Sequence, residues 1–251
     1  MITQFDKIYV ISLITNKDRQ EFVTYQMNEL GLDFEFIYGT DFNNITYDYF
    51  GNKINYPLTY NCPYRIPGSF GCTITHYNAV LYAYYLGYNN VLILEDDICF
   101  IKDKQLIEYY LNNIPQDADF VTWNPRFEFK KEFNIVADKI RNANESWILL
   151  ENSIIGLLGG MMYGIMNRES MKLYIDNQHN RLKLSDHVDG FFEAPIIKRY
   201  TSSKHICTDQ QNIFTNFNAE LYDEFIYEKI NNTITTDSFY IPNNFLQYTT
   251  R

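Results

Sequence analysis

Short apolar runs alternate with helical periodicity through the first half of the chain. Lys7–Leu13 is apolar, β-branched and flanked by polar residues, as a buried strand requires. Asn16 stands at a helix N-cap position. Phe22, Met27 and Leu30 then lay apolar side chains along a helix over 19–30, and Gly31 stops it where a left-handed residue is wanted. Residues 33–38 are the next strand. Strand, helix and strand in this order predict the βαβ unit of a parallel sheet. A helix over 71–86 follows and ends at Gly87. Residues 90–94 are almost purely aliphatic, which suits the centre of a parallel sheet. A helix over 104–112, a strand over 119–123 and a helix over 168–175 continue the pattern. Residues 154–165 hold Gly156, Gly159, Gly160 and Gly164 among aliphatic neighbours, which fits a strand pair with close backbone approach.

Three stretches lack this regularity. Residues 40–68 are rich in Asn, Tyr and Pro. Residues 124–151 mix charges with weak periodicity and are expected to form an insertion or flap. From 177 onward the chain is polar and irregular, with 219–230 as its one candidate element. No internal repeat is present. A chain of 251 residues suits a single domain with a sizeable core. The expected architecture is one α/β domain. It has a mixed, mostly parallel central sheet flanked by helices, a binding half over 1–123 and a second half over 124–251.

Charge narrows the partners. Lys and Arg number 21 against 31 Asp and Glu, giving a net charge of −10. A nucleic acid would want the opposite sign, so that class is disfavoured. A small anionic ligand remains open if a divalent cation sits between it and the carboxylates. Aromatics reach 17%. Base composition accounts for that, and stacking on sugars or bases is the alternative. Cys62, Cys72, Cys99 and Cys207 are scattered, with no C-x-x-C, so reduced thiols are expected. The apolar run at 8–13 is too short for a signal-peptide core, and no run of ~18 apolar residues predicts a membrane span. A cytoplasmic location is expected.

Chemistry concentrates in three places. Glu95-Asp96-Asp97 follows the aliphatic strand, at the edge where open α/β sheets bind ligands. In an extended segment Glu95 and Asp97 fall on one side and can share a hard cation such as Mn²⁺ or Mg²⁺. A solvated strand-end turn is the bland alternative. Gly71-Cys72-Thr73-Ile74-Thr75-His76 puts a His on the second turn of a helix, able to orient a carboxylate, ligate a metal or meet a phosphate, or to serve as a core or capping residue. Ser12 and Leu13 at a strand end, with Arg19 in the next helix, can cradle a nucleotide, although a surface Arg is the commoner explanation in isolation.

In this order, Val10-Ile11-Ser12-Leu13 with Arg19, Gly68 to His76, and Leu92 to Ile98 resemble glycosyltransferase family 25, which includes lipooligosaccharide transferases and procollagen galactosyltransferases. The resemblance covers 7–100. It continues more weakly through 159–166 and 187–191, with His187 where the family has Pro and Thr75 where it has Ser. It implies a GT-A fold, a UDP-sugar donor, a glycan or glycoprotein acceptor, a divalent metal and inversion at the anomeric carbon. Glu95 and Asp97 would then hold the metal, with Asp96 near the ribose or sugar. Ser12, Leu13 and Arg19 would lie by the nucleotide, and His76 would support the acidic loop or donor.

Asp189 matches the family's Asp and is the expected base for the acceptor hydroxyl, with Asp186 second. A helix N-cap is the alternative for Asp189. His205 and Asp209 are weaker candidates for the far side of the donor, and Gln210 and Gln211 for the acceptor. Residues 40–68 and 124–151 would flank the acceptor groove. Two other classes compete. A nucleotidyl- or phosphotransferase also wants paired acids, but no G-x-x-x-x-G-K-[ST] loop is present. An inactive sugar-binding module could share the fold.

Overall fold

A computed structural model of the chain describes residues 4–39, 67–123, 142–150, 162–184 and 197–209. Side chains are described for these residues except at 67–70, 178–184 and 208–209. The strands are β1 (Lys7–Leu13), β2 (Glu35–Gly39), β3 (Val91–Glu95), β4 (Ile98–Phe100), β5 (Phe120–Thr122), β6 (Trp147–Leu150), β7 (Met162–Ile165), β8 (Arg199–Ser202) and β9 (Cys207–Asp209). The helices are α1 (Lys17–Leu30), α2 (Pro67–Leu86), α3 (Lys104–Asn112) and α4 (Arg168–Leu184).

Seven strands form one sheet in the order β2-β1-β3-β7-β5-β8-β6. β1 pairs in parallel with β2 and β3, β5 with β8, and β7 runs against both β3 and β5 while β6 runs against β8. Five strands therefore share one direction, and only β6 and β7 oppose it. The expectation of a mixed, mostly parallel sheet flanked by helices holds in that sense.

Alternation along β1 and β3 splits the core in two. Tyr9, Ile11, Val91 and Ile93 face Ala79, Val80 and Ala83 of α2 with Met171 and Tyr174 of α4. Ile8, Val10, Leu92 and Leu94 face Val23, Met27 and Leu30 of α1 with Ile107 and Leu111 of α3. Burial on both faces explains why β1 and β3 read as near-continuous apolar runs. Gly31 and Gly87 end α1 and α2 with φ of 69° and 87°, the left-handed geometry the sequence predicts there. α2 starts before the expected Gly71 because Pro67 suits the first turn, where its missing N–H is not needed.

A two-stranded antiparallel ribbon, β4–β9, leaves the sheet just beyond the acidic residues. The side-chain amide of Gln26, fully buried in α1, holds it there. Gln26 Nε2 donates to Ile98 O at 2.9 Å, and Phe100 N donates to Gln26 Oε1 at 2.6 Å.

The second half of the chain departs most from expectation. Residues 147–150 are the edge strand β6 rather than part of a flap. β8 is buried through Arg199, Thr201 and Ser202, polar residues that carry no apolar alternation to read. α4 runs nine residues past Ile175, where the sequence turns polar and its periodicity stops. Gly164 does mark a close approach, since an added Cβ would lie 2.9 Å from Val121 Cγ2 and 3.0 Å from Phe5 Cε1. Gly156, Gly159, Gly160, the element expected at 219–230, and residues 40–66 and 124–141 lie outside the described residues.

Candidate active site

Ile11 of β1 pairs with Glu95 of β3, so the carboxyl ends of both strands finish side by side. The segments 12–19 and 95–97 thereby share one edge of the sheet. β3 ends on Glu95, and Asp96 and Asp97 form a turn into β4. The alternation expected to set Glu95 and Asp97 on one side therefore does not extend across these residues. Glu95 Oε1 lies 3.2 Å from His76 Nε2 of α2, whereas Asp97 Oδ2 accepts from Arg19 Nη1 of α1 at 3.4 Å. Dividing the acids between two helices, with one guanidinium between two of them, relieves the repulsion of three consecutive carboxylates.

Asp96 is the most enclosed of the three, its side chain 7% exposed. Its Oδ2 accepts from Ser12 Oγ at 2.6 Å and Asn16 Nδ2 at 3.2 Å, and its Oδ1 accepts from Arg19 Nη1 at 3.2 Å. Gln20 Nε2 donates to Leu13 O at 2.7 Å and to Ser12 Oγ at 3.2 Å. The start of α1 is thus wired to the acidic turn through the end of β1. Asn16 occupies the N-cap position but makes no side-chain cap bond; its amide goes to Asp96 instead.

His76 is 1% exposed and sits between two partners. Its Nδ1 lies 2.8 Å from Tyr163 Oη of β7, and the two rings stack with centroids 5.5 Å apart. Burial pushes the Tyr163 phenol well above its ordinary pKa, with Tyr174 adding to the shift, so the hydroxyl keeps its proton. One helical turn before His76, the Cys72 thiol completes a group. Its Sγ, a ring nitrogen of His76 and a carboxylate oxygen of Glu95 all lie within 4.8 Å of one another.

α2 can come this close to the sheet because β2 ends in Gly39. An added Cβ there would fall 2.6 Å from Thr75 Oγ1, which itself donates to Gly71 O at 2.7 Å.

The structure thus brings together Ser12, Leu13, Arg19, His76, Glu95, Asp96 and Asp97. His205 is buried just ahead of β9, and the backbone of Asp209 pairs with Ile98, next to the acidic turn. Asp186, Asp189, Gln210 and Gln211 lie outside the described residues. Sequence reasoning missed Gln20, Cys72 and Tyr163 as parts of the site. The Cys72–His76 spacing of four, which puts both on one helix face, was a visible signal for one of them. Nothing local marked Gln20.

For a divalent cation, Asp96 is a poor ligand because three donors already occupy its oxygens. Glu95 and Asp97, with side chains 30% and 16% exposed, offer hard oxygen donors that suit Mn²⁺ or Mg²⁺. No helix among the described residues is long and apolar enough to cross a membrane.

The model of glycosyltransferase family 25, described as an LPS biosynthesis protein, matches residues 5–159, well over half of the chain. The chain belongs to glycosyltransferase family 25. No curated protein gives a significant match. The matched part of this family 25 chain runs from β1 through β6 and contains the whole wiring of Ser12, Arg19 and the acidic turn. The resemblance at 159–166 meets it only at Gly159, and that at 187–191 falls beyond it. The Tyr163 that holds His76 therefore comes from outside the matched part of this glycosyltransferase.

Proposed function

We propose that the protein transfers a hexose, galactose or glucose, from a UDP-sugar to a hydroxyl of a glycan or protein acceptor. The transfer proceeds with inversion and with Mn²⁺ or Mg²⁺, on a GT-A type fold. The single observation that carries this reading is the convergence of Ser12, Arg19 and the acidic turn at the carboxyl ends of β1 and β3. That edge is where open α/β sheets bind nucleotides. Family 25 membership supports the transferase class. The family's description motivates a saccharide acceptor of the lipopolysaccharide kind.

In this reading Arg19, 38% exposed at its side chain, turns part of its guanidinium to the donor diphosphate. Asp96, fixed by Ser12 and Asn16, presents its remaining acceptor capacity to a ribose or sugar hydroxyl. His76 steadies Glu95, and Glu95 and Asp97 would hold the cation, each turning toward it from its partner in α2 or α1. When bound, that cation offsets the charge that builds on the departing diphosphate. The acceptor oxygen forms its bond to the anomeric carbon as the bond from that carbon to the phosphate oxygen breaks. UDP leaves with the electron pair, and the acceptor proton passes to a carboxylate, for which Asp189 is proposed and Asp186 is the second choice.

The test is a panel of UDP-sugars assayed for UDP release with Mn²⁺ and with EDTA, on wild type and Asp97→Ala. Metal-dependent release from one donor, lost in the variant, supports the reading and names the sugar. No release from any donor, with no metal-dependent UDP binding, replaces it with an inactive sugar-binding module.

A further inference from the structure

We infer that Cys72, His76 and Glu95 form a second cation site, matched to a borderline-soft ion such as Zn²⁺, that shares Glu95 with the hard oxygen pair of the acidic turn. Three observations carry it. The three candidate ligand atoms lie within 4.8 Å of one another. Cys72 and His76 come from successive turns of one helix face, and Glu95 from the end of the adjacent strand, so rigid elements hold the set. The remote nitrogen of His76 is engaged by Tyr163 Oη at 2.8 Å, leaving Nε2 directed at Glu95 Oε1, 3.2 Å away.

Metal-ligating imidazoles are held in this way. One ring nitrogen meets an outer partner, here a hydroxyl able to accept from Nδ1–H, and in that tautomer the other carries its lone pair to the ion. Zinc bond lengths in a tetrahedron place neighbouring N, O and S ligands roughly 3.3–3.6 Å apart. The His76–Glu95 distance is already close to that value. Cys72, which is not in a disulfide, need close by roughly 1.3 Å at most. It would bind as a thiolate, its proton passing to solvent.

The donor set separates this site from the one at Asp97. Sulfur and imidazole favour Zn²⁺ or Co²⁺ over Mg²⁺, whereas Glu95 with Asp97 is all oxygen. Because Glu95 cannot serve both ions fully, Zn²⁺ at Cys72 should oppose Mn²⁺ at the acidic turn. Cys72, His76 and Glu95 can bind an ion whether or not the protein transfers a sugar; the opposition to Mn²⁺ alone rests on the proposed function.

The experiment is Co²⁺ titration of the reduced, metal-free full chain, without donor or acceptor, followed by absorbance. Wild type should develop a sulfur-to-cobalt charge-transfer band that Zn²⁺ abolishes. Cys72→Ser should lose the band, and Glu95→Gln should bind at least about tenfold more weakly. Asp97→Ala, Cys62→Ser and Cys207→Ser should keep it, with far-ultraviolet circular dichroism checking that each variant folds. No band in wild type, or a band that persists in Cys72→Ser, overturns the site. A cobalt band in a protein that releases no UDP would support this site while removing the transferase reading. UDP release without a band would do the reverse.

Discussion

Ser12 Oγ donates to Asp96 Oδ2 at 2.6 Å, joining the end of β1 to the acidic turn 84 positions later. Both groups are buried, and the bond is charge-assisted. Ser12→Ala leaves Asp96 with one donor fewer on Oδ2, and Gln20 Nε2 keeps only its bond to Leu13 O. Stability should fall by about 1.5–3 kcal/mol, read from urea denaturation. A loss below about 0.5 kcal/mol, the scatter of ordinary surface changes, would mean that the link does not hold the turn.

Tyr163→Phe removes the hydroxyl from His76 Nδ1 and leaves the ring stack with Phe120 in place. The expected loss is about 1 kcal/mol. Burial holds the phenol's folded pKa above its unfolded value. Any stability linked to Tyr163 is therefore fully present at neutral pH and is lost only on the alkaline side, as pH rises through the raised value. Unfolding of wild type and Tyr163→Phe at neutral pH and in alkali checks this. A difference between them that shrinks between pH ~6 and ~8 would contradict it.

Gly39→Ala should force α2 away from β2, because the new Cβ meets Thr75 Oγ1 at 2.6 Å. Overpacking of this kind costs about 1–3 kcal/mol. Thr75→Ala removes the obstructing atom, so the double variant should recover most of the loss attributable to the clash. A double-mutant cycle reads the coupling, and strict additivity would show that the contact does not limit the approach of α2.

Asp119 binds three elements together at the far edge of the sheet. Its Oδ1 accepts from Asn167 Nδ2 and Ser170 Oγ, both at 2.9 Å, and its Oδ2 accepts from Lys198 N at 2.8 Å. Asp119→Ala should lower stability by about 2–3 kcal/mol and loosen α4 and β8 together. Amide exchange would show it as faster exchange in both elements, and a change confined to one of them would count against a shared anchor.

Asp117 lies at the surface with Lys198 and Tyr200, and their hydrogen bonds hold its carboxyl below the usual aspartate pKa. The folded value is below the unfolded one. The contribution is therefore present above the ordinary aspartate range and disappears as pH falls through the lowered value. Asp117→Asn should differ from wild type at neutral pH and converge with it in strong acid, as read by urea midpoints. A difference that grows with falling pH would reverse the sign.

The N-terminal half of the fold was legible because its local and tertiary demands agree. β1 and β3 are apolar since both faces are covered, Gly31 and Gly87 are glycine where the backbone turns left-handed, and Glu95-Asp96-Asp97 stands out as charge at the end of an aliphatic run. β8 was illegible because its buried side chains are polar, so no periodicity separates it from a loop. Ser12, Arg19, His76 and the three acids were readable as candidates for a cation or nucleotide from their functional groups and order alone, whereas Cys72 was not. How these groups are shared depends on the packing. Asp96 became a fixed acceptor for Ser12, Asn16 and Arg19, Asp97 went to Arg19, and Glu95 went to His76 with Cys72 beside it. The physical reason is that β3 stops at Glu95 and turns into β4. That turn removes the strand alternation and lets helices on opposite faces of the sheet each claim a carboxylate.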